Sequence, residues 1–89
     1  MKTAFRKSFG KDLNKHRKDG DLLSRIREII LEVEAAETLS SIKNIKRLKA
    51  EGPYYRIRVG SYRLGLTLEG ETVVFVRLLH RREVYRYFP

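Results

Sequence analysis

Residues 54–66 read YYRIRVGSYRLGL, and their polar and apolar side chains alternate with a period of two residues. Such alternation predicts β-strands. The pair Gly60-Ser61 in the middle predicts a two-residue type II′ turn, in which glycine supplies the positive φ. One side of the resulting hairpin is basic and carries Arg56, Arg58 and Arg63. The other side is apolar and carries Tyr55, Ile57, Val59, Tyr62, Leu64 and Leu66.

The register of this hairpin brings two arginines directly opposite each other. With Gly60-Ser61 as the loop, Arg58 faces Arg63 and Ile57 faces Leu64. Like charges directly opposed across a strand pair are destabilising, and Thr or Glu would serve on a face that is merely solvated. We therefore expect an anionic ligand on the arginine side of the hairpin.

The composition indicates one small basic domain. The chain has 89 residues, 42% of them hydrophobic, no cysteine and a formal net charge of +9. This size supports a single modest core, and without cysteine there is neither a disulfide framework nor a thiolate metal site. The first residues, MKTAFRKSFGKD, are too charged for a signal peptide. No apolar run approaches the ~20 residues that span a bilayer, so we expect a cytoplasmic protein.

The positive charge is concentrated in the second half of the sequence. Residues 1–42 hold nine Lys or Arg against seven Asp or Glu, whereas residues 43–89 hold eleven against four, a surplus of seven. Clustered arginine at high pI is typical of proteins that bind nucleic acid, a membrane surface or an acidic protein. General basicity for solubility is the alternative interpretation.

The first half of the sequence predicts a strand and two helices. A short strand is expected over residues 3–9 and a polar helix over residues 10–17, followed by a break at residues 18–20. Asp21 is the expected N-cap of a second helix. Apolar residues recur at helical spacing in this second helix and predict one buried stripe. They are Leu22, Ile26, Ile29, Ile30 and Val33.

The second half predicts strands and a short C-terminal helix. A strand over residues 45–50 precedes the arginine hairpin, and the nearly continuous apolar run of residues 73–79 predicts a strand buried on both faces. Residues 83–89 predict a helical turn that lies across the sheet edge. The expected fold is therefore α+β, with two N-terminal helices packed on one face of a basic antiparallel β-sheet in a single domain.

Two motifs within residues 54–87 carry a resemblance to a known family. The element GxYR stands at residues 60–63, and HRxxVY follows at residues 80–85, after the apolar strand VVFVRLL. With the preceding helices and the total length, this pattern resembles the RelE/ParE superfamily, the toxins of bacterial toxin–antitoxin systems. The motifs are weaker at separating the RNA-cleaving branch of that superfamily from the branch that poisons DNA gyrase.

The resemblance implies a ribosome-dependent endoribonuclease that cuts mRNA and leaves a 2′,3′-cyclic phosphate and a 5′-hydroxyl. Attack by the ribose 2′-oxygen requires a base, positive charge beside the phosphorane and an acid for the departing 5′-oxygen. It requires no metal and no other cofactor. The superfamily's basic strand positions match Arg56 and Arg58, its transition-state arginine matches Arg63, its second catalytic arginine matches Arg81 and its C-terminal tyrosine matches Tyr85.

The acid–base role stays open between Tyr85 and His80. Guanidinium is a poor base, so Arg56 and Arg58 are expected to bind phosphate. Tyr85 acts as the base if neighbouring arginines lower its pKa from about 10, or it only stacks on a nucleobase. His80 titrates in the useful range, or it is a structural histidine.

Some positions depart from the family pattern or extend it. The connection from Arg81 to Tyr85 is short, so Arg82 is the alternative functional arginine. Gly65 and Leu66 stand where many RNA-cleaving members have a tyrosine, which removes one stacking ring. His16 is expected to be exposed. The other expected RNA contacts are Lys46, Arg47, Lys49, Arg77 and Arg82.

The resemblance also implies partners. These are the ribosome with its mRNA, and a cognate antitoxin whose acidic or amphipathic helical segment covers or distorts the basic site; no membrane partner is expected. Two alternatives from other classes stay open. One is a gyrase inhibitor of ParE type, and the other is a non-catalytic module that binds RNA or the antitoxin.

Overall fold

The computed structural model describes all 89 residues as three helices and a five-stranded sheet. In chain order the elements are β1 (Lys2–Phe5), α1 (Lys7–Lys15), α2 (Gly20–Ala35), β2 (Ile45–Arg47), β3 (Tyr54–Val59), β4 (Tyr62–Glu69), β5 (Thr72–His80) and α3 (Val84–Tyr87). A 3₁₀ turn at Leu39–Ser41 lies between α2 and β2. None of the helices is long and apolar enough to cross a membrane.

The sheet has the strand order β1-β5-β4-β3-β2. Strands β2 to β5 pair with antiparallel neighbours, and β1 pairs with β5 in parallel. A parallel pair needs a long connection, which the intervening chain supplies. The sheet is thus mostly antiparallel, as expected, with one parallel strand added at its edge.

The first strand is shorter than predicted. It ends at Phe5, and α1 begins at Lys7 and ends at Lys15, so the strand predicted for residues 3–9 is wrong beyond Phe5. Phe9 has the aromatic character of a strand residue, but it lies on the inner face of α1. Its ring packs against that of Phe75, with the centroids 5.5 Å apart. Burial of this ring in the core outweighs its local strand propensity, and residue 9 is therefore helical.

The N-cap of the second helix lies two residues earlier than predicted. Asp19 is the N-cap, and its Oδ1 accepts a hydrogen bond from the backbone N of Leu22 at 3.1 Å. The prediction of Asp21 as cap is therefore wrong. The buried stripe is confirmed, because Leu22, Ile26 and Val33 are buried. Ile29 and Ile30 are partly buried and pack against the same core.

The main core lies between α1, α2 and one face of the sheet. The apolar side of the arginine hairpin supplies Ile57, Val59, Leu64 and Leu66 to it. Strand β5 lies between β1 and β4 and is buried on both faces, as predicted, through Val73, Val74, Phe75, Leu78 and Leu79. On the opposite face of the sheet the C-terminal segment contributes Val84 and Phe88 to a small second cluster.

Two later elements differ from their predicted positions. Strand β2 ends at Arg47 rather than residue 50, because the chain turns over residues 49–53, where Gly52 has a φ of +103°. Helix α3 does not lie across the sheet edge. It lies on the face of the sheet opposite α1 and α2, which we call the open face, and there Phe88 packs directly over Gly65. Because Gly65 and Arg63 face the same way, the C-terminal segment lies beside the arginines.

Candidate active site

The hairpin places three arginines on the open face of the sheet, in the predicted register. Arg58 lies opposite Arg63, and Arg56 lies opposite Gly65 on one side and Lys46 on the other. Gly60 has a φ of +59°, as the predicted turn requires. The two ion pairs of the chain, Arg6 with Glu69 and Arg77 with Asp12, involve none of these arginines. Their charge is therefore not neutralised within the chain.

Arg63 is held in place by its own hairpin. Its Nη1 donates to the backbone oxygens of Gly60 at 3.0 Å and of Tyr62 at 2.8 Å. Partial burial, followed by the charges of Arg56, Arg58 and Arg81, lowers the pKa of the Arg63 guanidinium below its usual value. A bound anion would relieve this repulsion. We define Arg56, Arg58, Arg63 and Arg81 as the arginine cluster.

Asn44 also lies in the site, although it was not predicted as a site residue. Its backbone adopts a positive φ of 62°, a conformation that asparagine tolerates better than most residues. Its Oδ1 accepts from Nη2 of Arg58 at 3.2 Å, and its backbone oxygen accepts from the Arg58 backbone N at 3.1 Å. The only signal was an asparagine directly before a strand. A concavity of about 350 Å³ is lined by Asn44, Ile45, Lys46, Arg56, Arg58 and Arg63.

Tyr85 stands on α3 at the edge of the arginine cluster. Its side chain is 79% exposed, and Cζ of Arg56 lies 4.9 Å from the centre of its ring. Arg56, as a hydrogen-bond donor and as a positive charge, lowers the pKa of the Tyr85 hydroxyl, and Lys46 and Arg63 lower it further. The neighbouring cations therefore lower the pKa of Tyr85, which a role as general base requires.

The position of Tyr85 depends on Phe88. Phe88 and Val84 are buried with Leu79 in a small cluster on the open face, separate from the main core. The Phe88 ring also meets the Tyr54 ring edge-on, with the centroids 5.8 Å apart. A Cβ at position 65 would lie 2.8 Å from the Phe88 ring, so this packing requires glycine at position 65. Phe88 thus supplies an aromatic ring near Gly65, where many RNA-cleaving members of the superfamily have a tyrosine.

A second concavity continues from the first past Arg56. It measures about 400 Å³ and is lined by Lys46, Leu48, Lys49, Ala50, Arg56, Tyr85, Phe88 and Pro89. Lys46 and Arg56 line both concavities. The two form a continuous surface, cationic near Arg58 and more apolar near Phe88. Such a surface can hold a phosphate at one end and a flat ring at the other.

The turn after β5 brings Arg81 to the cluster. The backbone N of Arg81 donates to the Ser61 oxygen at 2.8 Å, which joins this turn to the tip of the hairpin. The positive charge of Arg81 contributes to the lowered pKa of Arg63. The side chain of Arg82 is exposed in the same turn, and its backbone N donates to Nδ1 of His80 at 3.2 Å. The geometry favours Arg81 over Arg82 as the arginine that acts with Arg63.

His80 does not join the arginine cluster. It lies opposite Tyr62, whereas Leu79 lies opposite Arg63, so His80 is on the helix-covered side of the sheet. The orientation of His80 follows from an irregularity in the β4–β5 pairing. Gly65 pairs with Arg77 whereas Leu66 pairs with Phe75, so β5 contains one extra residue at this level. A one-residue shift reverses the side to which each following side chain points. The prediction of His80 as a catalytic residue therefore has no support in the geometry.

Two predicted RNA contacts also lie away from the cluster. Arg47 lies opposite Tyr55 on the helix-covered side, with its Cζ 5.9 Å from that ring. Arg77 Nε donates at 2.8 Å to Oδ2 of Asp12, a buried residue of α1. The same carboxylate accepts from the Leu78 backbone N at 2.9 Å, so Asp12 and Arg77 fasten α1 to β5. Lys46 and Lys49, in contrast, line the site.

His16 differs from its prediction as well. It is partly buried, and its ring meets that of Tyr62 edge-on at 5.0 Å. Tyr62 in turn meets His80 at 5.5 Å. The three rings form a column on the helix-covered side. No group of three or more His, Cys, Asp or Glu side chains in the chain is arranged to hold a metal ion.

The comparisons with known proteins agree with this architecture. A family model described as the ParE toxin of the type II toxin-antitoxin system parDE matches residues 4–85. Toxin RelE3 of Methanocaldococcus jannaschii is 47% identical over 90 residues, with both chains covered completely. The chain belongs to the RelE/ParE superfamily and is a RelE-like toxin of a toxin–antitoxin system.

Solved structures show the same fold. In the RelB-RelE antitoxin-toxin complex from Methanococcus jannaschii, a chain with 42% sequence identity superposes with a TM-score of 0.81, over 97% of this chain and 99% of that one. In the YoeB-YefM complex from Staphylococcus aureus, a chain with 17% identity superposes with a TM-score of 0.71, over 91% and 97% of the two chains. The second likeness concerns the fold alone.

Proposed function

We propose that this toxin is a ribosome-dependent endoribonuclease that cleaves mRNA and thereby inhibits translation. The reaction is attack of the ribose 2′-hydroxyl on the adjacent phosphate, without a metal, which leaves a 2′,3′-cyclic phosphate and a 5′-hydroxyl. The observation that carries the proposal is the arginine cluster, whose members have no carboxylate partner in the chain. Preorganised positive charge of this kind stabilises a phosphorane that gains negative charge during the reaction.

Each residue of the site has a role in this proposal. Arg63, oriented by two backbone oxygens, stabilises the phosphorane. Arg56 and Arg58 hold the phosphate backbone. Tyr85 takes the proton from the 2′-hydroxyl, because Arg56 lowers the pKa of its hydroxyl and its side chain is exposed beside the cluster. Arg81 supplies further positive charge for the departing 5′-oxygen.

The proton for the departing oxygen has no evident donor in the cluster. His80, the other titratable candidate, points to the helix-covered side of the sheet. We propose that RNA of the decoding site supplies this proton. This accounts for the dependence on the ribosome, because the toxin alone lacks one of the groups that the reaction requires.

We also propose that a cognate antitoxin controls the site. The similar chains from Methanococcus jannaschii and Staphylococcus aureus were solved in complexes named RelB-RelE and YoeB-YefM. An acidic segment of an antitoxin complements the unpaired arginine cluster electrostatically. Its binding over Arg56 and Tyr85 would exclude RNA.

Gyrase inhibition is the second candidate function, and the description of the matching family model as a ParE toxin favours it. The deciding experiment is primer extension on mRNA in programmed ribosomes, with purified wild-type protein and Arg63→Ala. A DNA supercoiling assay with gyrase runs in parallel. Cleavage by the wild type that Arg63→Ala loses supports the proposal. Inhibited supercoiling with intact mRNA would assign the toxin to the second function, and binding of RNA or antitoxin with neither effect would make it a non-catalytic module.

A further inference from the structure

The turn after β5 is held by three backbone N–H groups, each with a different acceptor. The backbone N of Arg81 donates to the Ser61 oxygen at 2.8 Å, and that of Glu83 donates to the His80 oxygen at 2.8 Å. Between them, the backbone N of Arg82 donates at 3.2 Å to a side-chain atom, Nδ1 of His80. Of the three acceptors, only this imidazole gains and loses a proton between pH ~5 and ~8.

This turn places two residues of the site. Arg81 lies in the turn itself, and Tyr85 follows on α3, which begins at Val84 directly after the turn. His80 lies opposite Tyr62 on the helix-covered side of the sheet and does not join the arginine cluster. Any effect of His80 on the site therefore passes through the turn that it holds.

The hydrogen bond between His80 and Arg82 has the form of an Asx turn, in which a side chain accepts from the backbone N–H two residues further on. To accept, Nδ1 must carry no proton, so the proton of the neutral ring is on Nε2. An imidazolium ring has two donors and no acceptor. Protonation of His80 therefore removes this bond and sets two N–H groups against each other.

The His80 ring lies between aromatic and charged groups of several elements. The ring of Tyr62 meets it edge-on at 5.5 Å, and Tyr62 in turn meets His16 at 5.0 Å. A concavity of about 500 Å³ lies beside His80 and Tyr62. The other titratable or charged groups that line it are Asp12, Lys15 and His16 of α1, Arg77 of β5, Glu83 of the turn and Tyr87 of α3.

None of these groups forms an ion pair that would stabilise an imidazolium at position 80. The Asp12 carboxylate is already bound to Arg77. Neither His80 nor Glu83 takes part in the two ion pairs of the chain. Lys15 adds positive charge to the same concavity. Protonation of His80 thus breaks the bond to the turn without forming an ion pair in exchange.

We infer that His80 is a positioning residue, whose neutral imidazole holds the turn that brings Arg81 and Tyr85 to the arginine cluster, and whose protonation releases this turn. The consequence for catalysis rests on the proposed function. As pH falls from about 8 to about 5, mRNA cleavage should decrease roughly 3- to 10-fold, which corresponds to the net contribution of one hydrogen bond. This loss is separate from the effect of Tyr85, which has to lose a proton at higher pH.

Three variants test the inference. His80→Asn keeps a side-chain acceptor for the same backbone N–H, but it does not gain a proton in this pH range. His80→Leu removes the acceptor at every pH. His16→Gln is the matched control, because it removes the other histidine of the column and leaves the bond between His80 and the turn intact.

The first measurement is an NMR titration of the purified proteins from pH ~8 to ~5, and it does not depend on the proposed function. In the wild type and in His16→Gln, the Arg82 amide resonance should shift together with the imidazole resonances of His80. Protection of the α3 amides from hydrogen exchange should fall roughly 3- to 10-fold over the same range. In His80→Asn both quantities should stay constant.

The second measurement is single-turnover cleavage in programmed ribosomes over the same pH range. The ratio of the wild-type rate to the His80→Asn rate cancels the effects of pH on the ribosome and on Tyr85. The two rates should be about equal at pH ~8, and their ratio should fall roughly 3- to 10-fold by pH ~5. His80→Leu should be slower than His80→Asn throughout.

Wild-type pH dependence in His80→Asn would overturn the inference, and so would loss of that dependence in His16→Gln. Wild-type protection of α3 in a folded His80→Leu protein would also overturn it. If His80→Leu does not fold, the comparison of the wild type with His80→Asn decides alone. A wild type that fails to cleave mRNA refutes the proposed function, whereas the NMR titration still decides whether His80 holds the turn.

Discussion

Replacing Gly65 with alanine should displace α3 and remove Tyr85 from the arginine cluster. The new Cβ would lie 2.8 Å from Cγ and Cδ1 of Phe88. These atoms are at the base of the ring rather than at a flexible end, so the ring cannot avoid the methyl group by a small rotation. Phe88 therefore has to move together with its backbone, and α3 moves with it.

The magnitude follows from how weakly α3 is held. Overpacking a filled site costs typically ~1–3 kcal/mol. Val84 and Phe88 are 2% and 4% exposed, and burial of each contributes at most ~1.5–3 kcal/mol. Ordering the segment costs ~1–2 kcal/mol per residue in backbone entropy. Since the net stability of the docked segment is small, the methyl group should lower its docked population roughly 5- to 150-fold.

The assay combines hydrogen exchange with single-turnover cleavage in programmed ribosomes. The backbone N–H groups of Arg86, Tyr87 and Phe88, which bond to oxygens of Glu83 and Val84, should exchange faster in Gly65→Ala. The global Tm should change little, because the main core is a separate cluster. Cleavage should fall with the docked population. Gly20→Ala is the matched control, since a Cβ at position 20 meets nothing within 4 Å.

A double-mutant cycle supplies the result that would refute this reasoning. If contact with Phe88 is the whole cause, Gly65→Ala should have no further effect in the Phe88→Ala background. Equal losses of cleavage in both backgrounds would show that position 65 acts on RNA directly. Unchanged exchange in α3 of the single variant would show that the ring has room to move.

Four further predictions concern the remaining residues of the site and its support. Arg63→Ala should keep the fold and lose ~10²- to 10³-fold in single-turnover cleavage; a near-wild-type rate would exclude its role. Arg58→Ala should weaken RNA binding and reduce its salt dependence, which titrations at several salt concentrations measure. Tyr85→Phe should abolish cleavage at saturating ribosomes but keep binding. Because Arg56 lowers the pKa of Tyr85, the wild-type cleavage rate should rise with pH and reach a plateau below pH ~10. Arg56→Gln should move this rise to higher pH. Asp12→Ala should lower the free energy of unfolding by at least ~1–3 kcal/mol, because the Leu78 N–H loses its acceptor, as urea denaturation would show.

The arginine hairpin could be predicted from the sequence because its determinants are local. Alternation assigns each side chain to a face, and the two-residue turn at Gly60 sets the register, so the opposition of Arg58 and Arg63 followed directly and is confirmed. The stripe of α2 follows from the same kind of periodicity. The predicted end of β1 is wrong because burial of Phe9 outweighs its local preference for a strand. The predicted start of α2 is wrong because Asp19, rather than Asp21, caps the helix.

The rest of the site depends on contacts between distant parts of the chain. The side to which His80 points depends on an extra residue in β5 relative to β4, at the level of Gly65. Glycine in a strand interior often marks such a bulge, which was the one available signal. The docking of Phe88 on Gly65 joins residues far apart in sequence. No periodicity encodes it.

The two faces of the sheet have different roles, and this difference between the faces explains where the site lies. The helix-covered face holds the main cluster of 13 buried residues, whereas the open face holds a cluster of only three. A face without helices leaves its arginines accessible to a bulky anion, but it also leaves Tyr85 with little support. The small cluster around Phe88 resolves this conflict, because it fixes α3 beside Arg56 without covering Arg63. Stability is thus concentrated on one face, and the other keeps the unpaired charge on which binding of an anion depends.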